Sequence, residues 1–468
     1  MTARTSPQET VEQALALSKA DGCVVRVTEQ CEANLRWANN TVTTNGEMRS
    51  RRLAVISFVD GSAGMAAGVV EHSSSSLDDL ADLVAASEQA ARDAGPADDD
   101  APLVEPGPEA SAATGPWAQD PDATSIAVFA RFAPALGEAF GRAKAAGQLL
   151  FGFAEHIVTS TYLGSSTGLR LRHDQPTGRV ELNAKTPDFS GSSWAGRITR
   201  DFTDIDVTAM DTEASTRLGW ADRRIELPAG RYHTILPPAA VGDLVVYHYY
   251  TATARDADEG RTVFSRPGGG SRIGETLTEQ PLTMRSDPAE RGLECAPFLH
   301  TTASWPGASV FDNGLPTGPV NWMTDGVLTE LLRTRNWAGR TGAAAAPYVD
   351  NLVVEVPSAT AGQDELVAGT ERGLLLTCLH YVREVDPQTL LLTGLTRDGV
   401  YLVEGGEVVG AVNNFRFNES PVGMLGRIAT VGRTERCLPR ELSDYFTRLA
   451  APWLAIPDFN MSTVSKGV

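Results

Sequence analysis

The chain contains no run of about eighteen apolar residues, the length a helix needs to cross a bilayer, so no membrane span is expected. It also lacks a basic cluster of the density that phosphate contacts require; Arg49, Arg51 and Arg52 come nearest and read as a solvated strand face. A formal charge of −19 and a pI of about 4.8 argue in the same direction, so no nucleic-acid partner is expected. Cysteine is scarce. Cys23, Cys31, Cys295, Cys378 and Cys437 are odd in number and scattered, which excludes a disulfide framework and fits reduced thiols in a cytoplasmic protein. No Gly-x-Ser-x-Gly elbow occurs for a serine triad, and the glycines at 268–270 are not followed by the Lys-Ser/Thr of a phosphate loop. The acids Asp98-Asp99-Asp100 lack the alternating spacing and distal Glu of a calcium loop. No internal repeat is visible.

What is present is the composition of a soluble globular protein: 468 residues, 42% hydrophobic and 21% charged, enough for two or three cores. Residues 1–22 read as a capped helix rather than a signal peptide, with Ser6 as cap, Pro7 at the first position and Glu9 placed for a capping box. Strands are expected at 23–28, 34–43, 51–59 and 64–70, with Asn45-Gly46 as a hairpin turn, then a helix at 74–94 with Leu77 facing inward. This predicts an N-terminal α+β meander domain, 1–95, followed by an acidic Pro/Gly linker, 96–120.

A middle α+β region, 121–228, opens with a helix at 123–146 and continues as strands at 149–162 and 168–184 and a helix at 206–219. Beyond it, period-two patterning and frequent turns predict an antiparallel β-rich C-terminal domain, 229–468, with strands including 327–335, 373–383 and 407–416. A short helix at 442–450 and Pro-broken coil are expected to end it. The fold class is α+β.

The chain is organised around 231–265, RYHTILPPAAVGDLVVYHYYTATARDADEGRTVFS. Tyr232 to Leu236 patterns as a buried strand, Pro237 and Pro238 stop it, and the second proline suits the first turn of a helix. In that helix Val241, Leu244, Val245 and His248 share one face. The flanks of this stretch, together with NNTVTTNG, GMAAGVV, FDNGLPTGPVNWMTDGVLTELL, VDNLVVEV and REVDPQTLLLTGLTRDGVYLVEGGEVVGAVNNFRFNES, resemble in order the TldD/PmbA (TldE) family, once called modulators of DNA gyrase.

The resemblance implies a metal helix in the TldD-type members, His-Glu-x-x-x-His. Anchored on Thr262-Val263-Phe264-Ser265, Val245 stands at the first His, Val246 at the Glu and Tyr250 at the second His. None can ligate zinc or act as its base. Cys437 lies where the family places a third, Cys ligand, and here reads as an idle thiol. By residue type the chain resembles the metal-less PmbA/TldE-type subunit. That implies no catalytic residue and no cofactor in this chain, zinc in a TldD-type partner, a heterodimer, and an unfolded peptide as substrate. Tyr247, His248 and Tyr250 are the candidates to line the substrate chamber.

Two alternatives stand beside this reading. Cys378-x-His380 could ligate a relocated metal with His300 or Cys295, giving an independent hydrolase. The chain could also be a metal-free homodimeric peptide-binding protein.

Overall fold

The computed structural model describes residues 5–62, 64–73, 79–107 and 115–465. Six long strands form the first sheet: β1 (Gly22–Ala38), β2 (Thr41–Gly61), β3 (Gly64–His72), β4 (Leu149–Ser165), β5 (Arg170–Lys185) and β6 (Ser192–Thr199). Their spatial order is β3-β2-β1-β4-β5-β6, antiparallel throughout. Because β1 pairs with β4 from Val24↔Ser165 to Trp37↔Gly152, the segments 1–95 and 121–228 contribute to one continuous sheet.

Side chains alternate across a strand, and β1 shows the consequence. Cys23, Val25 and Val27 face helices α1 (Pro7–Leu17) and α2 (Leu80–Ala94). Further along the same face, Ala33, Leu35 and Trp37 meet α3 (Phe132–Ala145) and α4 (Val207–Gly219). Val24 points the other way, onto Phe298, Val310 and Phe311 of the C-terminal half. Helix α1 carries the expected capping box between Ser6 and Glu9. Helix α2 sits so close to β3 that a Cβ on Gly68 would lie 2.1 Å from the Ala91 nitrogen. Residues 74–78 of the expected 74–94 helix, Leu77 among them, lie outside the described residues.

The first hairpin corrects the sequence reading. Its turn is Asn39-Asn40, with φ of 51° and 59°, while Asn45 and Gly46 continue β2 opposite Leu35 and Asn34. A two-residue turn matching the strand twist needs positive φ at both positions, and asparagine tolerates this better than other non-glycine residues.

The second sheet is mixed rather than wholly antiparallel. In spatial order its main path is Val327–Leu328, Val320–Thr324, Thr283–Ser286, Leu352–Glu355, Leu449–Val464, Gly230–Leu236, Arg372–Leu376, Val400–Glu404, Glu407–Val412 and Arg224–Ile225. Parallel pairs join 352–353 to 449–450, 374–375 to 234–235, and 411–412 to 224–225. The expected strand at 327–335 stops at Leu328, and a helix, Arg335–Thr341, follows behind its Thr334 cap. The expected 373–383 strand divides into Arg372–Leu376 and Leu379–Asp386, and 407–416 divides at 413–414.

The C-terminal end is the largest correction. In place of a helix and coil, Leu449–Val464 is a sixteen-residue strand within the main path. Pro452 and Pro457 sit at breaks in its ladders, between Val431 and Thr434 of one neighbour and between Ile456 and Phe459 on the strand itself. Bulges of this kind accept a residue with no N–H to donate.

Candidate site on the central helix

Helix α5 (Pro238–Thr251) lies on this strand and on Gly230–Leu236, Thr430–Cys437 and Leu379–Asp386. The two prolines act as expected. Pro237 is extended at φ −71°, ψ 165°, and Pro238 takes the first helical position. A Cβ on Gly242 would come within 2.6 Å of Leu449, so the helix and the C-terminal strand are in close contact there. Val241, Leu244, Val245 and His248 are all at most 1% exposed, and so are Val246 and Tyr249 on the remaining faces. The helix is therefore a core element on nearly every side.

Burial fixes the chemistry of each position. Val245 and Val246 present only methyl groups to the core around them. Tyr250 is half-buried, and its hydroxyl stands 3.4 Å from that of Tyr348. Cys437 donates through Sγ to the Pro238 carbonyl at 3.3 Å, and burial pushes its thiol well up, so it is a neutral packing group. Pro238 and Tyr250 stand at opposite ends of the helix, about 18 Å apart at 1.5 Å per residue. The zinc that the resemblance associates with this helix does not fit these residues. Among the described residues no group of three or more His, Cys, Asp or Glu side chains is placed to hold a metal.

Tyr247 and His248 behave differently from Tyr250. Tyr247 donates to the Val382 carbonyl at 2.8 Å. His248 is sealed against Phe264, ring centroids 4.8 Å apart, with Nδ1 unpartnered. Burial, aided by Arg272, pulls its imidazole down to about 4, so it is neutral at pH 7. Of the three chamber candidates, Tyr250 borders a cavity and His248 is enclosed.

That cavity, about 230 Å³, is lined by Tyr250, Tyr348, Trp305, Phe298, His300 and Asp350 among others. Tyr250 and Tyr348 stack at 5.9 Å with planes 12° apart, and Trp305 meets both nearly edge-on at 6.1 and 5.9 Å. Asp350 accepts from the Tyr348 hydroxyl at 2.9 Å and is ion-paired with Arg448. Sequence reading missed this wall because its rings come from segments about fifty and a hundred residues beyond the helix.

The Cys378/His380 pair does not assemble with His300 and Cys295. Cys378 Sγ accepts from Arg440 Nη1 at 2.6 Å, and burial pushes the thiol up to about 12. His380 Nε2 accepts from Arg397 at 3.1 Å, and its Nδ1 is 3.5 Å from Glu441. Two guanidinium cations thus occupy the surroundings a metal cation would need. His300 packs elsewhere, edge-on to Phe298, and Cys295 donates its amide to Pro288.

A second network was also missed. Asp243, inside helix α5, accepts from the Glu441 amide at 2.9 Å while its other oxygen has no partner. Burial first, and Glu441 second among the raising influences, hold its carboxyl well above the ordinary range. Next to it Arg440 pairs with Asp398 at 2.7 Å and lies over Trp194 of β6, 5.6 Å from the ring centre. The one acid in the apolar run Ala239–Val246 was the available signal. A cleft of about 350 Å³ opens at the start of the helix, and its arginines are paired: Arg197 and Arg217 with Glu213, Arg433 with Glu435, Arg436 with Asp204.

No helix among the described residues is long and apolar enough to cross a membrane. Residues 229–463 match the PmbA/TldA metallopeptidase C-terminal domain, and residues 23–92 match PmbA/TldA metallopeptidase domain 1. No match is found among curated proteins. Over nearly its full length the fold is similar to that of TldE from Thermococcus kodakarensis, at 14% identity and a TM-score of 0.74, covering 96% of this chain and 98% of that one. A protein from Thermotoga maritima described as a modulator of a DNA gyrase is similar at 15% identity, TM-score 0.73 and coverage of 97% and 99%. One from Bacteroides thetaiotaomicron, also described as a modulator of DNA gyrase, gives 14%, 0.71 and 98% of both chains. The fold is thus shared along the whole chain, one family model spans half of it, and the chain belongs to the PmbA/TldD (TldE) family.

Proposed function

We propose that this chain is the non-catalytic, TldE-like subunit of a heterodimeric zinc metallopeptidase that degrades or matures unfolded peptides in the cytoplasm. The observation that carries the reading is the burial of Val245 and Val246, 1% and 0% exposed, at the positions where the resemblance puts a metal ligand and a general base. A helix whose side chains are this tightly enclosed supports a fold and offers no donor to a metal. Hydrolysis then belongs to a TldD-type partner that carries the zinc, and this chain completes the chamber and holds the peptide. Holding an extended peptide by strand addition reads its backbone and leaves sequence largely free. The expected outcome of co-expression with a zinc-bearing homologue from the same cell is a stable one-to-one complex through affinity and size-exclusion steps. A chain that elutes alone, as monomer or homodimer, contradicts the subunit reading.

A further inference from the structure

The aromatic cavity beside Tyr250 has a size, a charge and a shape that define what it can take. At about 230 Å³ it falls below the roughly 300–1,000 Å³ of pockets that enclose whole small-molecule ligands, and it suits a single side chain. Its one carboxylate, Asp350, is neutralised: Arg448 is ion-paired with it, Arg448 Nε also donates to the Asp350 carbonyl at 2.8 Å, and the Tyr348 hydroxyl holds the other carboxylate oxygen. A cation is drawn to the ring faces, but the carboxylate that would balance it is already held by Arg448, whose own charge opposes it. An anion meets Asp350 and the electron-rich ring faces. His300 adds no charge, since burial pulls its imidazole down to about 3, and its Nδ1 has no hydrogen-bond partner. What remains is a wall of Tyr250, Tyr348 and Trp305 over Phe298, with Tyr250, Tyr348 and Trp305 half-buried and so within reach.

We propose that this cavity is a side-chain slot that selects an aromatic residue of an extended peptide. The inference rests on the peptide-holding part of the proposed function and adds to it a preference at one position. An aliphatic side chain also buries its surface there, and an aromatic one gains the edge-to-face and offset contacts that ring pairs prefer. Backbone pairing supplies the sequence-independent grip and the slot sets the register.

The test uses the purified full-length chain and blocked pentapeptides, acetyl-Gly-Gly-X-Gly-Gly-amide, with X as Phe, Leu, Lys, Glu or Gly, titrated by calorimetry or ligand-observed NMR. The Phe peptide is expected to bind best, with Leu weaker by about three- to tenfold and the charged and Gly peptides weaker still. Trp305→Ala should bring Phe and Leu together, and Trp305→Phe, which keeps a ring, should preserve most of the difference. Equal affinity for Phe and Lys or Glu overturns the slot, as does a Phe preference unchanged in a folded Trp305→Ala chain. Failure of every peptide to bind also overturns it. Co-purification with the zinc-bearing homologue still decides the subunit reading separately.

Discussion

Tyr249 and Val349, a hundred residues apart in sequence, exchange two hydrogen bonds: the phenol donates to the Val349 carbonyl at 2.8 Å and accepts from its amide at 3.0 Å. The ring is 1% exposed and also meets Trp322, Tyr348 and Phe446. This one side chain joins the central helix to the segment that carries Tyr348 and Asp350.

Tyr249→Phe leaves a buried amide and a buried carbonyl without partners. The expected loss is about 2–4 kcal/mol, from one to two unsatisfied buried groups, read from denaturant unfolding. Tyr247→Phe removes a single bond from a half-buried position and should cost about 1 kcal/mol or less.

His248 gives an acid-side prediction. Its folded pKa, about 4, lies below the ordinary 6.5, so its contribution is present above pH 6.5 and is lost as pH falls through 4. Over that window the neutral imidazole accounts for about 3 kcal/mol of acid lability. His248→Phe keeps a ring against Phe264 and removes a polar atom that has no partner. Its unfolding free energy should match or exceed wild type at pH 7 and decline less between pH 6.5 and 4.

Asp243 has the opposite sign. Its folded carboxyl titrates above its unfolded value, so its favourable contribution is complete below the ordinary carboxylate pKa and is lost as pH rises toward the folded value. Asp243→Asn keeps the acceptor for the Glu441 amide and has no charge to suppress. It should be more stable than wild type at pH 7.5 by about 1–3 kcal/mol, with the difference vanishing near pH 3–4. Equal pH profiles for the two proteins would contradict a carboxyl whose pKa is raised by burial.

Introducing a His-Glu-x-x-x-His signature into the central helix should not create a zinc site. In the triple variant Val245→His, Val246→Glu, Tyr250→His, the first two changes place polar and charged groups where the core is closed, a cost of several kcal/mol, and the third removes a ring from the cavity wall. The expected result is a lower melting temperature and no stoichiometric zinc by elemental analysis of any folded protein.

Much of this was legible in the sequence, and for local reasons. Ser6, Pro7 and Glu9 mark a helix start within four residues, and Pro237-Pro238 mark a strand-to-helix junction within two. The turn at Asn39-Asn40 is a weaker local signal than Asn45-Gly46, and only pairing across the full length of β1 and β2 decides between them. The 449–464 strand was hidden by Pro452 and Pro457, whose cost depends on bulges formed with other strands. For the site, the sequence carried the aliphatic and phenolic side chains of Val245, Val246 and Tyr250, none of them a metal donor of the His-Glu-x-x-x-His type. It did not carry the enclosure of His248, the cations around Cys378 and His380, or the aromatic wall, since each of these is set by residues distant in the chain.

The most direct measurement is peptide hydrolysis by this chain, alone and mixed with a zinc-bearing TldD-type homologue from the same cell, each with and without a chelator. The account predicts no cleavage by the chain alone and chelator-sensitive cleavage by the mixture. Cleavage by the isolated chain that a chelator abolishes would contradict it.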